Sequence, residues 1–362
     1  MRTNTTDTMD TSIDTAAVAA ALTTAAERDH LSGAVHIARG PDVLFAGAYG
    51  VASRRWQVPV HAGTRFDVAS VTKLFTSVAV LQQVEAGTLD LDDPVTSRVD
   101  LTGTTVPATV TLRHLLTHTS GLSDDADEEA GESYEALWAD RPNYAVTETA
   151  DLLPGFAHKP PRVEPGTDCR YCNAGYILAG LALEAVTGTP YREHVTEHVF
   201  ARAGMTSSGF FDMRSAVPDV AEGWEPVTGE GGEVTGWTQN IYSYPPIGSP
   251  DGGAHCTAAD LVRFIDAVRG GELLGPELTS AFLTPQVLHD ADDDRELHYG
   301  YGLEFVVEPG GALRCYDKDG INTGASAIVR HYVRPGITVA IVANSADAVW
   351  DPFSAIDDAV TA

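Results

Sequence analysis

Lysine is nearly absent from this chain. Of its 23 basic residues twenty are arginine and three are lysine, at Lys73, Lys159 and Lys318. Arginine keeps its proton inside a protein, whereas a buried lysine can release it. Positive charge of any kind is scarce: 51 acidic residues leave a formal net charge of -28. That excludes the broad basic face that nucleic acid or an anionic membrane would need, so neither is an expected partner. A solvated acidic surface, or adaptation to salt, accounts for the excess. The four cysteines, Cys169, Cys172, Cys256 and Cys315, are too few and too scattered for a disulfide scaffold, which suits a reducing compartment. No apolar run reaches the roughly 18 residues of a membrane span. The opening "MRTNTTDTMDTS" has no apolar core of signal-peptide type, so a cytoplasmic protein is expected, with residues 1-12 a flexible terminus.

What remains is a chain of 362 residues, 43% hydrophobic, long enough for two domains or for one with a large insertion. "GAVHIARGPDVLFAGAYG" (33-50) reads as two strands joined at Gly40-Pro41-Asp42, a turn tripeptide between apolar runs. Near the other end, "ALRCYDKDG", "GASAIVRHYV" and "GITVAIVANS" form three more strand-like runs, followed by a helical tail over 353-361. Helical patterns occupy 70-86, 111-118, 172-187, 190-203 and 257-270. Strands at both ends with helices between predict an α+β fold in which the termini share one antiparallel sheet. The expected division is a discontinuous sheet domain (13-90 and 250-362) and a mostly helical domain (91-249), with the active site between them. The acidic stretches "SDDADEEAGES" (123-133) and "DADDDREL" (290-297) read as loops, and "GWEPVTGEGGEVTGW" (223-237) as an excursion or hairpin.

Three short motifs carry chemistry. In "FDVASVTKLFTSVAVLQQVEAG" (66-87), Ser70 and Lys73 are three residues apart and share one face of a helix. They fall in its first turn, where free N-H groups and the helix dipole favour a serine alkoxide and disfavour a further positive charge. Bringing a lysine from about 10.4 to near neutrality takes roughly three units, about 4 kcal/mol, a size that burial and neighbouring positive charge supply. By itself the pair reads rather as an N-cap serine and a snorkelling lysine. In "RYCNAGYILAG" Tyr171, Cys172 and Asn173 open a helix; Tyr171 has a hydroxyl to present and Asn173 both donors and an acceptor. In "YDKDGINTG" Lys318 and Gly320 face one side of a strand, where a glycine lets another backbone approach.

In this order the three motifs resemble the active-site set of the serine β-lactamase and penicillin-binding protein family, closest to its class C β-lactamase and esterase branch. "GTLDLDDPV", "TLRHLLTHTSGL", "GGAHCTAADLVRFI" and "YGYGLEF" extend the resemblance over roughly residues 15-360. It implies a β-lactamase/DD-peptidase-like fold and an acyl-enzyme mechanism. Ser70 would be the nucleophile, Lys73 its proton acceptor or electrostatic partner, and Tyr171 the base and acid shared with Lys73. Asn173 and Lys318 would position substrate, Gly320 would permit its approach, and the N-H groups of Ser70 and Ile321 would hold the oxyanion. Two positions depart from the family: Cys172 stands where serine is common, and Asp319 follows Lys318 where threonine is common. An aspartate there pairs with Lys318 and repels a substrate carboxylate.

The expected activity is therefore a serine hydrolase on a small ester, amide or peptide-like substrate, of esterase, amidase or D-aminopeptidase type. A true β-lactamase or D-Ala-D-Ala carboxypeptidase, an acyltransferase to an amine, and a non-catalytic sensor remain as alternatives. No cofactor or metal is expected. "HVTEH" matches an inverted zinc-peptidase pattern through His194 and His198, but the resemblance puts that helix outside the site. Cys169 and Cys172 form a lone Cys-x-x-Cys, and His114 and His118 read as packed histidines one helical turn apart.

Overall fold

The computed structural model describes residues 13-127 and 130-361. The terminus over 1-12, expected to be flexible, lies outside the described residues. Eight antiparallel strands form the main sheet: β1 (Gly33–Arg39), β2 (Asp42–Tyr49), β3 (Val287–Ala291), β4 (Glu296–Tyr299), β5 (Glu304–Val307), β6 (Leu313–Asn322), β7 (Ala325–Tyr332) and β8 (Ile337–Ala343). Their order is β2-β1-β8-β7-β6-β5-β4-β3. The pairing of β1 with β8, Val35 opposite Ile341, joins the two ends of the chain in one sheet, as the strand pattern predicts. The first hairpin turns at Gly40, whose φ of +54° costs a glycine little.

β8 is buried along its whole length, which is why "ITVAIVA" reads as an unbroken apolar run. Its side chains alternate between two clusters. Val339 and Ile341 pack with Val18 and Leu22 of α1 (Thr15–Glu27) and Ile356 of the C-terminal helix (Trp350–Thr361), while Ala340 and Val342 face the larger cluster on the other side. That cluster holds α2 (Thr72–Glu85), which is buried on every side from Thr72 to Gln82. A helix apolar all round belongs in the interior. Phe75 anchors it, with the rings of Phe200 and Phe264 edge-on at 4.9 Å each; burying one such ring contributes roughly 1.5–3 kcal/mol. The cluster continues into α3 (Leu112–Leu116) and α4 (Asn173–Thr187).

Several elements differ from expectation. "DADDDREL" contributes the facing ends of β3 and β4 rather than a free loop; β3 is exposed along most of its length and the paired ends meet at a run of aspartates, so no apolar run marks them. The helix expected over 111-118 ends at Leu116, and His118 lies beyond it with φ +59°. The helix over 190-203 is interrupted by a π turn at Thr196–Phe200. Residues 224-239, by contrast, form a hairpin, one of the two forms expected there. Among the described residues no helix is long and apolar enough to cross a membrane.

Candidate active site

Ser70 sits on a turn bent by its neighbour. Ala69 has φ +43°, a left-handed conformation that costs a residue with a β-carbon about 1 kcal/mol or more. Local bonds hold it there. Ala69 N donates to Asp67 Oδ1 at 2.7 Å, Thr72 Oγ1 donates to the Ala69 carbonyl at 2.7 Å, and Ala254 N donates to Thr72 Oγ1 at 3.0 Å. A 3₁₀ turn over Ala69–Val71 leads into α2, so Ser70 stands at the helix start, as the sequence suggests.

Lys73 is fully buried one turn on. Its Nζ donates to Ser70 Oγ at 3.1 Å, to Asn173 Oδ1 at 2.7 Å and to the Asp251 carbonyl at 2.6 Å. Three acceptors match the three donors of an ammonium. The Tyr171 hydroxyl donates to the same Ser70 Oγ at 2.7 Å. Lys73 Nζ lies 4.9 Å from the centre of the Tyr171 ring and Lys318 Nζ lies 5.0 Å from it.

Tyr171 and Asn173 are placed by the start of α4. Cys172, the residue before that helix, has an extended backbone and provides no side-chain cap. The cap comes from a distant loop: Asp124 accepts from Asn173 N at 2.6 Å and from Ala174 N at 2.8 Å. A carboxylate at a helix N-terminus satisfies two orphan donors and faces the positive end of the dipole. Burial nevertheless pushes the Asp124 carboxyl above its ordinary range, outweighing these two bonds. The third lysine of the chain secures that loop, since Lys159 Nζ donates to the carbonyls of Asp124 and Asp125 at 2.7 and 2.6 Å. All three lysines thus serve this region, one of them at second hand.

β6 closes the site. Pairing with β5 ends at Asp317, while pairing with β7 continues to Asn322, so Lys318 to Asn322 keep one edge unpaired. The Ser70 turn lies against that stretch. A β-carbon on Gly320 would stand 2.4 Å from the Val68 carbonyl oxygen and 2.6 Å from Ser70 N, so what Gly320 admits is the backbone of the turn that carries Ser70. Ile321, about half exposed, lines the pocket with Ser70, Asn173 and Asp251.

Lys318 is buried and already engaged. Its Nζ meets Glu304 Oε1 at 2.7 Å and Asp319 Oδ1 at 3.2 Å. Burial works to lower its pKa, but the two carboxylates overcome this and hold it well above the ordinary lysine range. The residues lining the pocket beside Ser70 include no arginine or lysine and do include Asp251.

Of the loop aromatics, Tyr134 and Tyr244 line the pocket; Trp138 is buried, and Tyr144 and Tyr242 are exposed. Trp237 stacks under the Arg54 guanidinium at 3.2 Å. His194 and His198 stack on each other with ring centres 4.4 Å apart. Among the described residues no three histidine, cysteine or acidic side chains are gathered as a metal site. All four cysteines are free thiols.

Sequence reasoning missed Asp124 and Glu304 and misplaced His118. Asp124 lies in an acidic run indistinguishable from a solvated loop. Glu304 is 14 residues from Lys318 and reaches it only through strand pairing. His118 reads as a packed residue inside the helix over 111-118, whereas it follows that helix's end at Leu116.

The β-lactamase family model matches residues 15-359. The chain belongs to the β-lactamase family. Within it, the chain is 34% identical over 293 residues to Esterase EstB of Burkholderia gladioli, covering 74% of this chain and 74% of that protein. It is 26% identical over 309 residues to Penicillin-binding protein 4 of Amycolatopsis lactamdurans, covering 82% and 76%. The crystal structure of a penicillin-binding protein from Bacillus halodurans superposes with a TM-score of 0.85 at 38% identity, covering 92% of this chain and 98% of that one. The α+β, β-lactamase/penicillin-binding-protein-like fold expected from the motifs is the fold of this family member.

Proposed function

We propose that the protein is a serine hydrolase that forms an acyl-enzyme on Ser70, acting on an ester or amide that carries no carboxylate beside the reacting carbonyl. The observation that carries this reading is the convergence of Lys73 Nζ and Tyr171 OH on Ser70 Oγ, at 3.1 and 2.7 Å. Positive charge beside a phenol stabilises its anion, and two ammonium groups lie within 5.0 Å of the Tyr171 ring centre. In the proposed reaction the Tyr171-Lys73 pair starts with one proton fewer than a phenol and an ammonium together, and it takes the Ser70 proton as Oγ bonds to the carbonyl carbon. The N-H groups of Ser70 and Ile321 take the developing oxyanion. Collapse breaks the bond to the leaving oxygen or nitrogen, which receives the proton. Water then attacks the ester on Ser70 by the same route and releases the acid.

The choice of substrate rests on charge. Lys318, the cation that would meet a substrate carboxylate, is enclosed by Glu304 and Asp319, so those three side chains sum to one negative charge. A carboxylate entering there is repelled. The similarity to an esterase supports this choice, and the similarity to penicillin-binding proteins supports a second reading, slow capture of β-lactams. Intact-mass measurement after mixing with an activated ester and with a penicillin separates them. We expect a short-lived adduct and turnover with the ester, and little of either with the penicillin; a long-lived penicilloyl adduct, or fast turnover of nitrocefin, would reverse the assignment.

Asp319→Thr is expected to raise kcat/KM for a carboxylate-bearing substrate such as nitrocefin about tenfold, the effect of removing roughly 1.4 kcal/mol of repulsion. The value for a neutral ester should change less than about threefold. Equal changes for both substrates would show that Asp319 does not read charge.

A further inference from the structure

His118 is held in an unusual place. α3 ends at Leu116, and His118 follows with φ +59°, a position where a residue with a β-carbon is strained and where glycine or asparagine is the common choice. Two backbone bonds radiate from it, and they bracket Tyr171. The His118 carbonyl accepts from Arg170 N at 2.9 Å, and its Nδ1 accepts from Cys172 N at 3.1 Å. Between those contacts the imidazole lies over the Tyr171 ring, with centres 4.6 Å apart and planes inclined by 31°. Tyr176 and Tyr299 pack against the same imidazole at 5.3 and 4.8 Å, and the Tyr176 hydroxyl donates to the Leu116 carbonyl at 2.8 Å.

We propose that His118 is a positioning residue for Tyr171: its carbonyl holds the backbone on one flank of the tyrosine, its imidazole holds the other flank and the plane of the ring, and the side chain so aims the hydroxyl at Ser70 Oγ. The proposal rests on the acyl-transfer reading of Tyr171. An acceptor role for Nδ1 requires the tautomer with its proton on Nε2. Burial, then the charges of Lys73, Lys318 and His289, press the imidazole toward its neutral form, far below the ordinary histidine pKa. A protonated ring would lose the acceptor that holds Cys172 and would place a third cation beside Lys73 and Lys318. Tyr171, Tyr176 and Tyr299 are the other titratable side chains packed on it, and none of them supplies a counter-charge while it stays a phenol.

The test is a double-mutant cycle on a neutral ester. His118→Asn suits the left-handed backbone but is too short to stack on Tyr171 or to reach Cys172 N. We expect it to fold with a near-parental melting temperature and to lose about 100-fold in kcat with KM changed less than threefold, the signature of a misplaced catalytic group. His118→Phe keeps the ring and loses the acceptor, and should show an intermediate loss. In a Tyr171→Phe background His118→Asn should change the remaining rate less than twofold, because the hydroxyl it serves is gone. A His118→Asn enzyme within threefold of parental kcat would overturn the proposal. So would an equal loss in the Tyr171→Phe background, or the failure of both His118 variants to fold, either of which makes the role purely structural. If Tyr171→Phe alone kept parental kcat, the acyl-transfer reading of Tyr171 would fall, and this inference with it.

Discussion

Ser70→Ala is expected to lower turnover of any ester substrate by about 10⁴-fold or more and to abolish the acyl adduct in intact-mass spectra, while the urea midpoint moves by no more than the equivalent of about 1 kcal/mol. The two halves of that expectation come from different parts of the geometry. In the proposed mechanism chemistry depends on the single oxygen at which Lys73 and Tyr171 meet; without it there would be nothing to acylate. Stability does not depend on it. Lys73 retains Asn173 Oδ1 and the Asp251 carbonyl, so no buried cation is stranded. The bent turn is held by Asp67, Thr72 and Ala254, none of which bonds to the Ser70 side chain. Parental turnover by the alanine variant would end the mechanism, and loss of activity accompanied by unfolding would leave the oxygen's role in chemistry unsupported.

The legible parts of this molecule were those encoded over a few consecutive residues. The Ser70-Lys73 spacing, the turn at Gly40-Pro41-Asp42 and the unbroken apolar run of β8 each carry their structure locally, and each gave the right element. Strands β3 to β5 did not, because they are only four or five residues long, β3 is exposed along most of its length, and the turn between β3 and β4 is a run of aspartates that reads as a solvated loop. The site divided in the same way. Residues inside the motifs lie together in the structure, while the groups that orient them come from elsewhere in the chain. Asp124 caps α4 from a loop 49 residues upstream of Asn173, and Glu304 reaches Lys318 across a strand pair. Gly320 taught a related lesson: its strand neighbours suggested room for substrate, whereas the neighbour that occupies that room is the backbone of Ser70. Spacing along one strand gives the direction a position faces, and only the packed structure gives what it faces.

Lys73→Arg tests why the chain departs from arginine at this place. The substitution keeps a positive charge, so a purely electrostatic role would survive it in part. It removes the ability to give up a proton and exchanges a compact ammonium for a planar guanidinium. The site has no room for that exchange. Lys73 is fully buried, its three acceptors lie 2.6–3.1 Å from one nitrogen, and the Tyr171 and Tyr176 rings stand 4.9 and 5.6 Å from it. Forcing the larger head group in should cost about 1–3 kcal/mol of stability and about 10³-fold or more in kcat. Lys73→Ala has the opposite defect, since it leaves Asn173 Oδ1 and the Asp251 carbonyl without this donor, and its stability should fall by about 2–5 kcal/mol. Single-turnover acylation rates and urea midpoints on the two variants resolve the roles. If the arginine variant acylated within tenfold of the parent, charge alone would suffice at residue 73, and proton transfer to and from Ser70 would have to belong to Tyr171.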